Sequence, residues 1–468
     1  MNRAVVLVAV LVLVAIAALA AAGLLARSGV SAESSAASVR ASQLRMVASS
    51  GVEILRRTIE QQRPALLRGG APTLPESWTI YKSPGGERGV VRLVSMGQTS
   101  EGTGPQAISE NAKIDINVCD PAFLAGVLDE AGAGDLAALR QKGSFACVED
   151  ARAALAEGVG SREPRGPEAK PAGEAKADHW ELATCFAFEP RVIAPEGEAK
   201  ALPQVDLSGG VTADAAAAIL DGLPPDAASA VRPLLVETAY ASRGAFLSAL
   251  QRAGVAVEHW SPLSDRVCFS PDPFGRGSSD INRSDVGVLA LVPGLDGAIA
   301  RSIVETRSRL DEEKLSRITW PLEQGLLTTA QFLAMCDHVS VRSTVWRVRL
   351  VAQIERDQGG SNRELLVLAS SEWDAVVDAS GESAQIALWR DASVPNAAFA
   401  SVGEPRPRLI PESISPAALP TEGKHNSRSD ERSALELDDK MWDDAGRPAV
   451  SSSPKPASDN RIGRWAPR

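Results

Sequence analysis

The 468 residues are enough for two or three domains, and 44% hydrophobic residues are enough to fill real cores. A net charge of −10 and a pI near 5.2 exclude a general nucleic-acid coat, which needs a basic surface to displace counterions. Four histidines and five cysteines stand in no metal-ligand spacing, so no zinc motif is encoded.

The chain opens on its most informative stretch. Residues 4–26, AVVLVAVLVLVAIAALAAAGLLA, carry no charge. A membrane-spanning helix needs about 20 such residues. A cleaved signal peptide is the competing reading, with Met1-Asn2-Arg3 as its basic start and Ala18-Leu19-Ala20 as its cleavage site. The apolar run continues past that site to Ala26, which favours an anchor. Both readings put nearly all of the chain outside the cytoplasm, and Arg3 favours an N-in orientation. No proline follows until Pro64. Leu44, Val47, Gly51, Ile54 and Thr58 fall at 3-4 spacing, widened by Leu55 and Ile59. The pattern predicts one helix over residues 4–62, about 90 Å long, half in lipid and half offering a stripe to a folded body.

After the RPALLRGGAPTLPES break, WTIYK and RGVVRLVSM read as two strands joined by SPGGE. From residue 113 to about 336 the pattern becomes helical, short and alanine-rich, and it predicts an all-α block. Within it, residues 161–178 have the charge and proline of a solvated loop. VRSTVWRVRLVAQI then reads as a strand with one wet face. RELLVLASS, EWDAVVDA and AQIALWR follow as further strands with turns between them. Residues 391–468 read as a disordered tail. The expected class is α+β. A long N-terminal helix packs on a small antiparallel sheet, and a large all-α insertion interrupts that sheet. The expected divisions are a leader at 1–3, a membrane helix at 4–26, helix and first strands at 27–112, an insertion at 113–336 and terminal strands at 337–390.

Two stretches of the insertion echo each other, IDINVCDPAFL from Ile114 and SDINRSDVGVL from Ser279. In both, Asp-Ile-Asn precedes a helix. Asp115, Asn117, Asp120, Asp280, Asn282 and Asp285 are therefore candidate caps for the free amides at a helix start. The same aspartates offer hard oxygen ligands, so calcium is the one cofactor with any basis; no other cofactor is expected. The second copy continues as LALVPGLDGAIARSIVETR, a helix-hairpin-helix pattern over 281–307 with Pro293, Gly294, Leu295 and Asp296 at its turn. Hairpins of this kind that bind DNA present a second glycine where this chain has Asp296, and a carboxylate there repels phosphate. No nucleic acid is expected as a partner. No G-x-S-x-G, H-E-x-x-H or P-loop is present, and no enzymatic activity is expected.

Taken in order, these pieces resemble the minor pseudopilin K family of the bacterial type II secretion system. The resemblance covers residues 1–390. Its most specific parts are SSGVEIL from Ser49, GVTADAAAAILDGLPPD from Gly210, and DINRSDVGVLALVPGLDGAIARSIVETR followed by HVSVRSTVWRVRLVAQI. The resemblance implies a single-pass inner-membrane protein with its body in the periplasm, and a pilin-like fold. It implies cleavage of the leader at Arg3, Ala4 or Val5, and a non-enzymatic place at the tip of a short pseudopilus. The implied partners are other minor and major pseudopilins, the inner membrane and secreted protein substrates. Most pseudopilins carry a glutamate near the start of the helix. The K member lacks it, and this chain has no acid before Glu33. Two departures stand out: no glycine precedes the cleavage point, and DGLPPD lacks the family's tryptophan. The alternative implied by the hairpin is a membrane-anchored receptor for DNA uptake.

Overall fold

The computed structural model describes residues 3–96, 98–99, 102–103, 106–119, 121–128, 130–160, 179–193, 201–357 and 365–392. All of them belong to one compact unit. The class is α+β: a long N-terminal apolar helix, an antiparallel sheet and further helices.

Helix α1 runs Arg3–Gln61 without a break. Nothing in that span removes a backbone donor, because the first proline is Pro64. Its surroundings change along its length. Leu11, Leu13, Leu19 and Leu25 are each more than 60% exposed, and burial starts at Leu44. From there Leu44, Val47, Ala48, Gly51, Val52, Leu55 and Ile59 form the buried stripe. Ile54 and Thr58, expected in the stripe, are half-buried at its margin. Closest approach to the sheet sets the buried face. A methyl group added at Gly51 would lie 2.5 Å from a Val91 methyl, and one added at Gly89 would lie 2.8 Å from Val47. Two glycines, one on each side of the crossing, thus let the helix sit down on the strand.

Six strands form the main sheet: β1 (Ser77–Lys82), β2 (Glu87–Val94), β3 (Ala107–Ser109), β4 (Val345–Asp357), β5 (Leu365–Asp378) and β6 (Gln385–Asp391). The order is β1-β2-β4-β5-β6, all antiparallel, with β3 continuing along β4 past the end of β2. Strands from before residue 113 and after residue 340 therefore share one sheet. Trp346, Val348, Leu350, Ala352 and Ile354 alternate toward the α1 stripe and make the core with Ala375 and Val377. Each fully buried Leu or Ile of that stripe contributes about 1.5–3 kcal/mol.

Two strand readings need correction. The second and third late runs are one continuous strand, β5, because no glycine or proline interrupts them. The arginine face of β4 is wet only in part: Arg347 is 14% exposed and ion-paired with Glu110, whereas Arg349 is 40% exposed and ion-paired with Asp374.

The block at 113–336 is likewise not all-α. Short strand pairs run through it. Three of them are parallel: Ile114–Asp115 with Ala183–Thr184, Val205–Asp206 with Val267–Cys268, and Ser279–Asp280 with Val339–Ser340. Two-residue strands carry no alternation to read, so only the helices between them were legible. The expected loop at 161–178 and the expected tail beyond residue 392 lie outside the described residues. Asp391 itself ends strand β6.

Candidate functional site

The three parallel pairs are the same local device. In each, the first strand ends on an aspartate whose Oδ1 accepts the backbone N–H two residues on, at 2.9 Å in all three: Asp115 from Asn117, Asp206 from Ser208, Asp280 from Asn282. The residue between donates its N–H to the return strand, again at 2.9 Å: Ile116 to Thr184, Leu207 to Cys268, Ile281 to Ser340. Ile116, Leu207 and Ile281 are fully buried. A helix pair follows each turn: α2 (Pro121–Val127) and α3 (Glu130–Arg140), then α4 (Ala213–Leu220) and α5 (Pro225–Glu237), then α6 (Val286–Leu289) and α7 (Gly297–Arg307). The first and third units share one more contact. Arg140 and Arg307 close the second helix of each pair. They donate to the carbonyls of Cys119 and Ser284, each four residues past the aspartate. In the middle unit the second helix, α5, ends on Glu237 instead. The echo seen in the sequence is thus a threefold repeat.

This assigns the candidate cap residues individually. Asp285 is a helix cap, accepting the Val288 N–H at 2.8 Å. Asp115 and Asp280 are not; they sit at strand ends and hold the turn. Asn117 braces its unit by exchanging hydrogen bonds with the Phe145 backbone at 2.8 and 3.0 Å. Asn282 accepts from the Trp320 indole at 3.0 Å and donates to the Leu315 carbonyl at 2.7 Å. Asp120 lies outside the described residues. Asp280 is the most heavily engaged. It is fully buried and accepts from Asn282, from the Arg283 guanidinium at 2.8 Å and from the Ser343 hydroxyl. Arg283 in turn reaches the Gly69 carbonyl beyond the end of α1 and lies over the Trp346 ring of β4. One aspartate therefore ties the third unit to the sheet and to the segment following the long helix. Among the described residues no group of three or more His, Cys, Asp or Glu side chains is disposed to hold a metal ion.

At the hairpin turn, Pro293, Gly294 and Leu295 lead into α7. Gly294 has φ +84, and an added Cβ would meet the Gln331 carbonyl at 2.6 Å. Asp296 caps α7, accepting from Ala298 at 2.9 Å and Ile299 at 2.8 Å. These are the amides that a phosphate would use. The first helix of this pair, α6, is a single turn. Arg3, Ala4 and Val5, the expected cleavage residues, lie in the first turn of α1.

Arg347 and Arg349 read from the sequence as the solvated face of a strand; their partners Glu110 and Asp374 come to them only across the sheet. Fully buried Glu110 accepts from Arg347 at 2.6 Å and from the Thr184 hydroxyl of the first unit. Asp374 accepts from Arg349 and Arg390, and Arg390 also reaches Glu149 at 2.6 Å. Burial pushes the Glu110 carboxyl up, but Lys113, Arg347 and Thr184 outweigh it and hold it below its ordinary 4.5. Burial likewise opposes Arg349 and Arg390 at Asp374, and the arginines win. Carboxylates with depressed folded values stabilise the fold above their unfolded values, and lose that stabilisation as pH falls through the folded ones. Melting temperature is expected to hold down to about pH 4.5 and to fall below about pH 4. Glu110→Gln is expected to lower stability at pH 7 and flatten that acid limb. Melts from pH 3 to 7 check this, and an unchanged acid limb in the variant would contradict it.

All five cysteines are free. Burial pushes the Cys119, Cys147 and Cys336 thiols up to about 12, and those of Cys185 and Cys268 upward as well. A thiolate is the reactive form. The folded chain is expected to react with Ellman's reagent about a hundredfold or more slowly than the unfolded chain, because so little thiolate is present. One fast thiol at neutral pH would contradict this.

Near its N-terminus the chain carries a helix long and apolar enough to cross a membrane, of the kind found in single-pass anchors and signal sequences. Comparison with protein families, curated proteins and solved structures found no match to this chain.

Proposed function

We propose that the chain is a non-enzymatic, membrane-anchored component of a type II protein secretion apparatus, a minor pseudopilin of the K kind at the pseudopilus tip. The observation that carries this reading is the division of α1. It is exposed where it is apolar and buried from Leu44 onward against one sheet, whose strands come from both sides of a large insertion. Helices built this way can leave a bilayer side by side and bury their exposed faces against one another, while the bodies stay outside. A subunit with no acid before Glu33 cannot pair with the terminal amine of a subunit above it, which suits a terminal position. The inserted threefold repeat would then form the outermost surface of the tip, facing exported proteins.

The DNA-receptor alternative is disfavoured by Asp296, whose carboxylate already occupies the amides of the hairpin turn. The test is genetic. Deleting the chain in its native host is expected to strand folded exoproteins in the periplasm, with DNA uptake unchanged. Normal secretion, or loss of DNA uptake alone, would overturn the proposal.

A further inference from the structure

Beside the middle unit lies a cleft of about 510 Å³. Sites for small organic ligands span about 300–1,000 Å³. Four parts of the chain meet there: Leu67 and Arg68 just past α1, the hairpin of Val192–Ile193 with Leu202–Pro203, helix α4, and Asp265-Arg266 leading into the Val267–Cys268 strand. The wall is mixed. Ile193, Leu202, Val205 and Ile219 make it apolar on one part, and Arg68, Arg266 and Arg342 bring guanidinium groups to another. Those arginines are unequally engaged. Arg342 is 8% exposed and is held by Glu189 at 3.2 Å and the Val192 carbonyl at 3.0 Å. Arg266 donates only to main chain, to the carbonyls of Ile219 and Asp221, which fixes its direction. Among the described residues the Arg68 side chain has no hydrogen bond and no ion pair. Two carboxylates share the wall, and neither is in ion-pair reach of Arg68 or Arg266: Asp221 and Asp265. The nearest guanidinium to Asp265 is that of Arg342, at 4.0 Å, across a gap too wide for a hydrogen bond. Asp265 is 36% exposed, yet burial dominates its carboxyl and pushes it up against Arg342, Arg243 and Arg266. A side chain both open and surrounded by protein faces a concave site.

We propose that this cleft binds a small soluble aliphatic carboxylate, with its hydrocarbon against Ile193, Leu202, Val205 and Ile219 and its charged end on Arg266 and Arg68. Guanidinium groups without acid partners ask for an anion, and the planar fork of arginine matches a carboxylate with two parallel hydrogen bonds. The apolar wall asks for a hydrocarbon body, which inorganic phosphate lacks. A neutral aliphatic ligand would take water from the arginines and give no acceptor back. Bilayer lipid does not fit the location. Residues 27–61 of α1 separate the apolar half of the helix from Leu67, about 50 Å of helix at about 1.5 Å per residue.

The test is calorimetric titration of the full chain in detergent with sodium hexanoate, against a blank of protein-free micelles. Hexanamide keeps the shape and drops the charge; inorganic phosphate keeps the charge and drops the body. Hexanoate is expected to bind saturably, and the other two at least about tenfold more weakly, the equivalent of one charge-assisted hydrogen bond. Arg68→Gln and Leu202→Glu are expected to weaken hexanoate by a similar factor, the first by removing a guanidinium and the second by setting a carboxylate in the apolar wall. Both should keep the wild-type melting temperature, since the Arg68 side chain is unbonded and Leu202 is 41% exposed. Equal binding of hexanoate and hexanamide, equal binding of phosphate, or unchanged binding in both variants would overturn the proposal. So would the absence of saturable heat, the result if residues 194–200 of the chain itself fill the space.

Discussion

Replacing Asp280 with alanine is expected to cost the folded chain about 3–5 kcal/mol, the range for removing one partner of a buried ion pair. The side chain is fully buried and holds three donors at once: the Asn282 amide, the Arg283 guanidinium and the Ser343 hydroxyl. Alanine leaves the guanidinium of Arg283 with only the Gly69 carbonyl and the Trp346 face. Asp285→Ala is the control. It removes an ordinary helix cap five residues away and is expected to cost about 1 kcal/mol. Urea unfolding of the two variants separates the roles. Equal losses would mean that Asp280 is no more than a turn residue and that the third unit is held to the sheet by other contacts.

Gly51→Leu is expected to be the other severe change. Adding a methyl group at Gly51 already brings carbon within 2.5 Å of Val91. Alanine there gains up to about 1 kcal/mol of helix propensity and loses about 1–3 to overpacking, so its net loss should be small. Leucine keeps most of the propensity gain but must place three further carbons between α1 and β2. The helix would have to lift, and the stripe from Leu44 to Ile59 would lose contact together. A loss of about 3 kcal/mol or more is expected, at the upper end for overpacked sites. The measurement is again the unfolding midpoint. A Gly51→Leu protein as stable as Gly51→Ala would show that the helix does not cross β2 this closely.

These two sites also mark what was legible in the chain. The α1 stripe was readable because a 3.6-residue period leaves a signature over many turns. Leu44, Val47, Gly51, Leu55 and Ile59 of that stripe are buried, Ala48 and Val52 join them, and Ile54 and Thr58 fall at the margin, since the rotation of a helix is fixed by the sheet beneath it and not by its own pattern. The α+β class was readable from strand runs on both sides of a helical stretch. Two of the three aspartate turns show in the sequence, where they read as helix caps. Asp-Ile-Asn before a helix has the composition of a cap, and the two-residue strands that explain it have no period. The third copy, Asp206-Leu207-Ser208, escaped because leucine and serine replace isoleucine and asparagine. A search for an aspartate followed by an aliphatic residue and then Asn or Ser would have found it. The Glu110 and Asp374 networks were not legible at all. Their partners lie 237 and 25 residues away and meet only through the sheet register.

The most direct test of the assembly reading is affinity purification of the full chain from detergent-solubilised membranes of its native host, with the co-purifying proteins identified by mass spectrometry. The proposal predicts small membrane proteins whose N-terminal helices are apolar in the first half and amphipathic in the second. Recovery of nucleic acid, or of no such protein at all, would contradict it.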